Sequence, residues 1–355
     1  MPTSAKMVPV FIVSWLAKSG KGPMRRFTAP GVHLLRPILD MYMDSAIALS
    51  GCHAEGLERD SCELDVLIVG NQGRTSTSVR IGGVHMDLIF VSEKEALKPS
   101  NPEHAASMAH SRPVRDASLV ISTSAAAATA VLADSCHKST RGRLASALKS
   151  LGRADEALSE GLLKEADFWL TAASYDFAYA WLYSKEAIPA PSHLLRQLKD
   201  HSRGTSPGFE AFSRGAALEK SARSTCGSRL EGIGVLQDVL RGRQETTPGH
   251  GDWPPARLDI VQAKSQELGA RVEYAENYSF LGQEMVSGML ALSILRGERN
   301  KEAKRHSDVG SLFQGKDQLL GDRLLVELGL VRNGPALKAA LGAVKEQVST
   351  LARKV

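Results

Sequence analysis

Two carboxylates stand two residues apart, Glu63 and Asp65, at the mouth of the apolar run Val66-Leu67-Ile68-Val69. Alternate residues of a strand point to the same face, so an extended segment puts both acids on one side, about 7 Å apart, with Leu64 on the other. Like charges that close repel unless a cation lies between them. A third acid, Asp87, follows 22 positions after Asp65 within the largely apolar stretch His85–Val91. If the two strands pair, three carboxylates converge. Hard oxygen donors in that number suit Mg²⁺ or Mn²⁺ and the chemistry of phosphoryl or nucleotidyl transfer.

Immediately before the acids runs Gly51-Cys52-His53-Ala54-Glu55-Gly56, a turn of small residues, and Ser61-Cys62 leads into Glu63-Leu64-Asp65. This pattern resembles the minimal nucleotidyltransferases of the polymerase-beta-like superfamily. Their motif is Gly-Ser, a glycine turn, then Ser-Asp-hydrophobic-Asp-hydrophobic, with a third Asp on a later strand. The resemblance covers about residues 45–92. It implies a small mixed β-sheet and the transfer of a nucleoside monophosphate from an NTP, foremost ATP, to a hydroxyl acceptor with release of pyrophosphate. The acceptor stays open between small molecule, protein and RNA. By the same resemblance Glu63, Asp65 and Asp87 are the catalytic acids and hold the metal, while Gly51, Cys52 and His53 meet the nucleotide phosphates. Arg74 and Arg80 flank the expected hairpin and are further candidates for the triphosphate, although most surface arginines are simply solvated.

Two positions depart from the pattern. Cys52 replaces the serine, and a thiol is a weaker donor than a hydroxyl. Glu63 replaces the first Asp and adds one methylene. Both changes favour the rival reading, a catalytically weak nucleotide-binding or antitoxin-like protein.

The elements that must position these residues follow from local pattern. Residues from Pro30 read as a helix, Ala46–Leu49 as a strand entering the Gly51 turn, then Leu64–Val69 and Ser78–Ile81 as strands. Gly82-Gly83 reads as a hairpin turn into Val84–Val91. A further strand is expected through Val114–Ile121. From about Ser124 the periods become helical. A long helix is expected over 154–185, carrying seven of the 19 aromatic residues. On it Glu165, Trp169, Ala172, Asp176, Tyr179 and Tyr183 share one face. If that face looks into the cleft, Glu165 or Asp176 is the general base for the acceptor; an amphipathic core helix accounts for the same pattern and is the commoner case.

Ser192 reads as the cap of a helix beginning at His193. Further helices are expected at 209–241, 256–297, 317–330 and 335–353. The fold class is therefore α+β, a small mixed sheet followed by a mostly helical region. Its divisions are a nucleotidyltransferase domain at 1–123, a helical domain at 124–241 packing on the cleft, a Gly/Pro-rich linker at 242–255 and a C-terminal helical domain at 256–355. Arg196 and His201 form an Arg-x4-His pair that resembles the ribonuclease motif of helical HEPN domains, a third function class. The basic run 299–306 reads as a solvated connection rather than an RNA contact.

Composition bounds these readings. A chain of 355 residues with 43% hydrophobic and 23% charged residues is that of a water-soluble globular protein. Net charge +5 and pI ≈ 9.0 permit nucleotide or RNA contact without demanding it. Cys52, Cys62, Cys136 and Cys226 form no CxxC pair, so neither a zinc site nor a disulfide framework is expected, and a reducing cytoplasm is the expected compartment. The apolar segment 7–17 is too short to span a bilayer and reads as a packed strand or helix. Ser19-Gly20-Lys21-Gly22 lacks both the upstream glycine and the Ser/Thr of a P-loop.

Overall fold

The computed structural model describes residues 30–70, 77–202, 206–244, 257–297, 326–327, 329–330 and 332–355. Segment 7–17, Ser19–Gly22, Arg74, the run 299–306 and most of 242–255 and 317–330 lie outside the described residues.

The architecture is α+β. Strands β1 (Ala46–Ser50), β2 (Leu64–Val69), β3 (Thr77–Ile81), β4 (Val84–Val91) and β5 (Arg112–Arg115) form one sheet in the order β3-β4-β2-β1-β5. The β2–β4 pair is parallel and the other three are antiparallel. Gly82 (φ 57°) and Gly83 (φ 84°) make the expected tight hairpin, both in the left-handed region that a two-residue turn of this kind needs.

Strand alternation divides the apolar residues between two faces. Ile47, Leu49, Val66, Ile68, Met86 and Leu88 pack on Leu35 and Ile38 of α1 (Pro30–Met41) and on Tyr42 just past its end. Ala48, Leu67, Val69 and Val91 pack on the other side against Ala96, Met108, Ile121 and Ala128. Those residues belong to α3 (Glu93–Leu97), α4 (Pro102–Ala109) and α5 (Val120–Ala130), α2 (Gly51–Glu55) being the short helix at the site described below. Helices near in sequence thus cover both faces.

The strand expected at 114–121 is shorter and earlier. Its pairing with β1 runs from Arg112 and Pro113 across a register shift to Arg115 and goes no further, and the Asp116 carboxylate accepts from the N–H groups of Ile121 (3.0 Å) and Ser122 (2.7 Å). An acid satisfying the first free N–H groups starts a helix there instead. Arg115 ties β5 to the end of α1 by donating to the carbonyls of Leu39 (2.7 Å), Ser45 (3.1 Å) and Tyr42.

The long helix expected over 154–185 is two helices, α6 (Leu132–Ser159) and α7 (Leu163–Tyr183). Gly161 takes φ 77°, and the Leu162 N–H donates back to the Ala157 carbonyl at 2.8 Å. That is a glycine-terminated C-cap, and it folds α7 back along α6. A 3-10 turn at Pro191–His193 leads into α8 (Leu194–Ser202).

The helix expected at 209–241 is α9 (Pro207–Gly215) and α10 (Arg223–Gln244), parted where Ala217 has φ 56°. The segment 256–297 holds α11 (Arg257–Ala270) and α12 (Tyr274–Gly297), with Val272 at φ 60° between them. Last comes α13 (Gly334–Ala352), capped by the Asn333 side chain. Leu144, Phe168, Phe212, Ile233, Phe280 and Val344, from six of these helices, share one apolar core. Inside it Asp167 accepts from the backbone N–H of Arg332 at 3.0 Å and from its Nε at 2.8 Å. Among the described residues no helix is long and apolar enough to cross a membrane.

Candidate metal and nucleotide site

Because β2 and β4 are parallel and adjacent, Asp65 is the register partner of Asp87. Glu63, two residues before Asp65, reaches the same place from the loop ahead of β2. The three carboxylates can each present an oxygen within 4.8 Å of the others. The convergence expected from spacing is present.

The glycine turn is a five-residue helix, α2 (Gly51–Glu55), entered directly from β1. Gly51 sits at φ 62°, and a Cβ built on it would run into the Asp65 carboxylate. Both the left-handed backbone and the close approach strain any other residue at this position. Ser50, just before it, is the register partner of Asp65 on the other side of β2.

Electrostatics divide the three acids. Burial and the neighbouring Glu63 and Asp87 carboxylates hold the Asp65 carboxyl well above its usual range. Burial also opposes ionisation of Glu63, but the Lys264 ammonium and the Arg257 guanidinium outweigh it and hold Glu63 down to about 2. Lys264 forms an ion pair with Glu63 Oε2, and Arg257 Nη1 lies 3.8 Å from Oε1 while also binding Glu284. Asp87 accepts from the Ser78 hydroxyl at 2.5 Å. A divalent ion among these oxygens would relieve the repulsion that Asp65 meets, and the all-oxygen donor set suits Mg²⁺ or Mn²⁺.

Lys264 and Arg257 were not singled out from the sequence. One signal was there: Ile260, Val261, Lys264 and Leu268 form the buried stripe of α11, and Lys264 is 4% exposed. A lysine inside an apolar stripe needs a buried acid nearby. What the sequence could not show was that α11, two hundred residues downstream, meets β2. The loop before β2 is held to the same helices by Arg59, which pairs with Glu273 and Glu276, and by the Ser61 N–H, which donates to Glu267 at 2.9 Å.

The remaining candidates divide. The Cys52 side chain is buried with Cys62, Ala190 and Leu57. The neighbouring Cys62 and burial together push the Cys52 thiol up. Cys52, with His193 and Lys264 against the cost of burial, lowers Cys62 to about 4. His53 is half-buried, and its Nε2 has no hydrogen-bond partner among the described residues. Arg80 lies exposed on β3 opposite His85.

Glu165 accepts from Trp169 Nε1 at 3.2 Å, one turn along α7. Asp176 is held by Arg143 at 3.1 Å, and Arg143 also binds Glu103. Both candidate bases are thus engaged in contacts that brace α7. Arg196 and His201 are exposed on α8, and five positions place them about 140° apart around the helix. Arg196 lines a charged cavity of about 400 Å³ with Arg59, Arg271, Glu273 and Glu276.

No family model matches the chain, and no curated protein matches it. Among solved structures the chain is similar to that of a nucleotidyltransferase-like protein from Exiguobacterium sibiricum. The TM-score is 0.33 and the identity 13%, covering 79% of this chain and 89% of that one. A likeness of that size carries no argument about fold or activity.

Proposed function

We propose that the protein transfers a nucleoside monophosphate from an NTP to a hydroxyl acceptor, using a divalent metal held by Glu63, Asp65 and Asp87. One observation carries this reading: three carboxylates meet at the end of a parallel strand pair, beside a positive-φ glycine whose Cβ position lies against the Asp65 carboxylate. The half-buried Asp65 lies at their centre without enough positive charge to keep it ionised easily. Mg²⁺ or Mn²⁺ bound there would neutralise the triphosphate and make its α-phosphorus easier to attack.

This chain's own residues would do the rest. The missing side chain at position 51 leaves the room that the Asp65 carboxylate takes against the start of α2. Lys264 and Arg257 bring two positive charges to the rim of the carboxylates, where triphosphate charge would gather. The packed helices around Lys264 exclude water from that rim.

A second reading, nucleotide binding with weak turnover, draws on the same ion pair. Lys264 already holds Glu63, so one of the three oxygen donors is committed before any metal arrives. Purified protein incubated with radiolabelled NTPs, Mg²⁺ and cellular RNA or protein separates the two. Transfer of label supports the first reading; nucleotide binding without transfer supports the second. RNA cleavage dependent on Arg196 and His201 would contradict both.

A further inference from the structure

A second cluster of metal-ligating side chains lies behind the carboxylates, and its donors are soft rather than hard. Cys52 comes from α2, Cys62 from the loop ahead of β2, and His193 from the 3-10 turn after α7. All three are buried, at 6%, 6% and 1% exposure. Each can place a donor atom within 4.8 Å of the other two, and Cys62 Sγ lies 3.3 Å from His193 Nε2.

Zn–S bonds of about 2.3 Å and Zn–N bonds of about 2.0 Å in a tetrahedron put neighbouring donors roughly 3.5–3.8 Å apart. The cluster is within a small adjustment of that spacing. A buried histidine whose Nδ1 has no partner, set against two thiols, is also poorly explained as core packing, where an aliphatic residue would cost less.

We propose that Cys52, Cys62 and His193 bind a thiophilic divalent cation of the Zn²⁺ class, at a site separate from the carboxylates. Two thiolates and one imidazole make a Cys₂His set with a fourth position left for water or a small exogenous ligand. Binding releases to solvent whatever protons the two thiols still carry, and the two sulfur charges balance the ion. Zn²⁺ prefers thiolate and imidazole, whereas Mg²⁺ prefers the oxygens of Glu63, Asp65 and Asp87, so the two sites sort their ions by donor type. The ion would tie α2, with Gly51 at its start, to the helical region through His193. Because His193 Nδ1 lacks the usual outer partner, affinity should fall below that of a braced zinc site.

The test uses the full-length protein, stripped with chelator under reducing conditions and titrated with Co²⁺ as a visible stand-in for Zn²⁺. One equivalent per chain should give a thiolate-to-cobalt absorption band, and Zn²⁺ should displace it. Cys62→Ser and His193→Gln should each weaken binding at least about tenfold, a loss of the size expected when a site's ligand set is disturbed. Asp87→Asn should leave the band unchanged. Circular dichroism melts identify any variant that does not fold, in which case Cys52→Ser replaces it. Absence of a thiolate band would overturn the proposal, as would a band untouched by folded variants. A Cys52–Cys62 disulfide, seen as the loss of two hydrogens per chain in non-reduced protein that takes up no cobalt after reduction, would also overturn it.

Discussion

Asp65 and Asp87 are register partners across the parallel strands β2 and β4, so their carboxylates meet on one face of the sheet, with Glu63 joining them from the preceding loop. An arrangement that sets three acids together in a partly buried place is unfavourable by itself and needs positive charge from elsewhere. Lys264 and Arg257 supply part of it to Glu63, while Asp65 remains the acid that burial and its neighbours push upward.

Asp65→Asn should raise the melting temperature of the metal-free protein at neutral pH, because it removes the charge that Glu63 and Asp87 repel. The same variant should lose any stabilisation by Mn²⁺ and reduce label transfer to background. Thermal melts with and without Mn²⁺ check the first part. A melting temperature lower than wild type in chelator would count against the electrostatic account.

Removing Lys264 leaves Glu63 buried with only Arg257, at 3.8 Å and shared with Glu284, to balance it. Lys264→Met should cost about 3–5 kcal/mol in urea unfolding. The double variant Lys264→Met with Glu63→Gln should recover most of that loss. Additive losses in the double variant would show that the two side chains do not act as a pair.

Gly51→Ala should destabilise by at least about 1–2 kcal/mol from the left-handed backbone alone. The added methyl also meets the Asp65 carboxylate, so transfer activity should fall further than stability does. Denaturant unfolding together with activity at a temperature where the variant is fully folded separates the two effects. Unchanged activity in a folded Gly51→Ala would mean that the turn and Asp65 need not approach so closely.

Glu55, the last residue of α2, is pushed up to about 7 by burial, against the pull of Arg112. A carboxyl whose folded pKa lies above its ordinary 4.5 binds its proton more tightly in the folded chain. It therefore costs nothing at pH 4, costs progressively more between 4.5 and 7, and costs its full amount above 7. That amount is at most about 3 kcal/mol, less whatever solvent screens. Glu55→Gln should accordingly stabilise the protein at pH 8 and leave it nearly unchanged at pH 4. Equal effects at both pH values would contradict the shift.

Much of the site could be read from the sequence because its parts are close together there. Gly51, the spacing of Glu63 and Asp65, and the hairpin that returns Asp87 all lie within 40 residues, and strand alternation fixes which face each takes. The fold was legible where glycines punctuate it, as at Gly82-Gly83. It was less so where helix formers flank a break: Gly161 divides α6 from α7 although the periodicity runs on through it. Helices α3 and α4 left their mark only in the caps Ser92 and Asn101. Lys264 and His193 were out of reach for another reason. Each meets the N-terminal sheet through tertiary contacts more than 130 residues long, and no local pattern encodes which helix comes to which strand end.

The most direct test of the carboxylate site is Mn²⁺ binding to the full-length protein with ATP present, followed by the spin-resonance signal of free Mn²⁺, in wild type, Asp65→Asn and Asp87→Asn. Wild type should take up Mn²⁺ beyond what ATP alone binds, and both variants, folded by circular dichroism, should lose that uptake. Uptake by both variants equal to wild type, or none by wild type, would contradict the assignment of Glu63, Asp65 and Asp87 as a metal site.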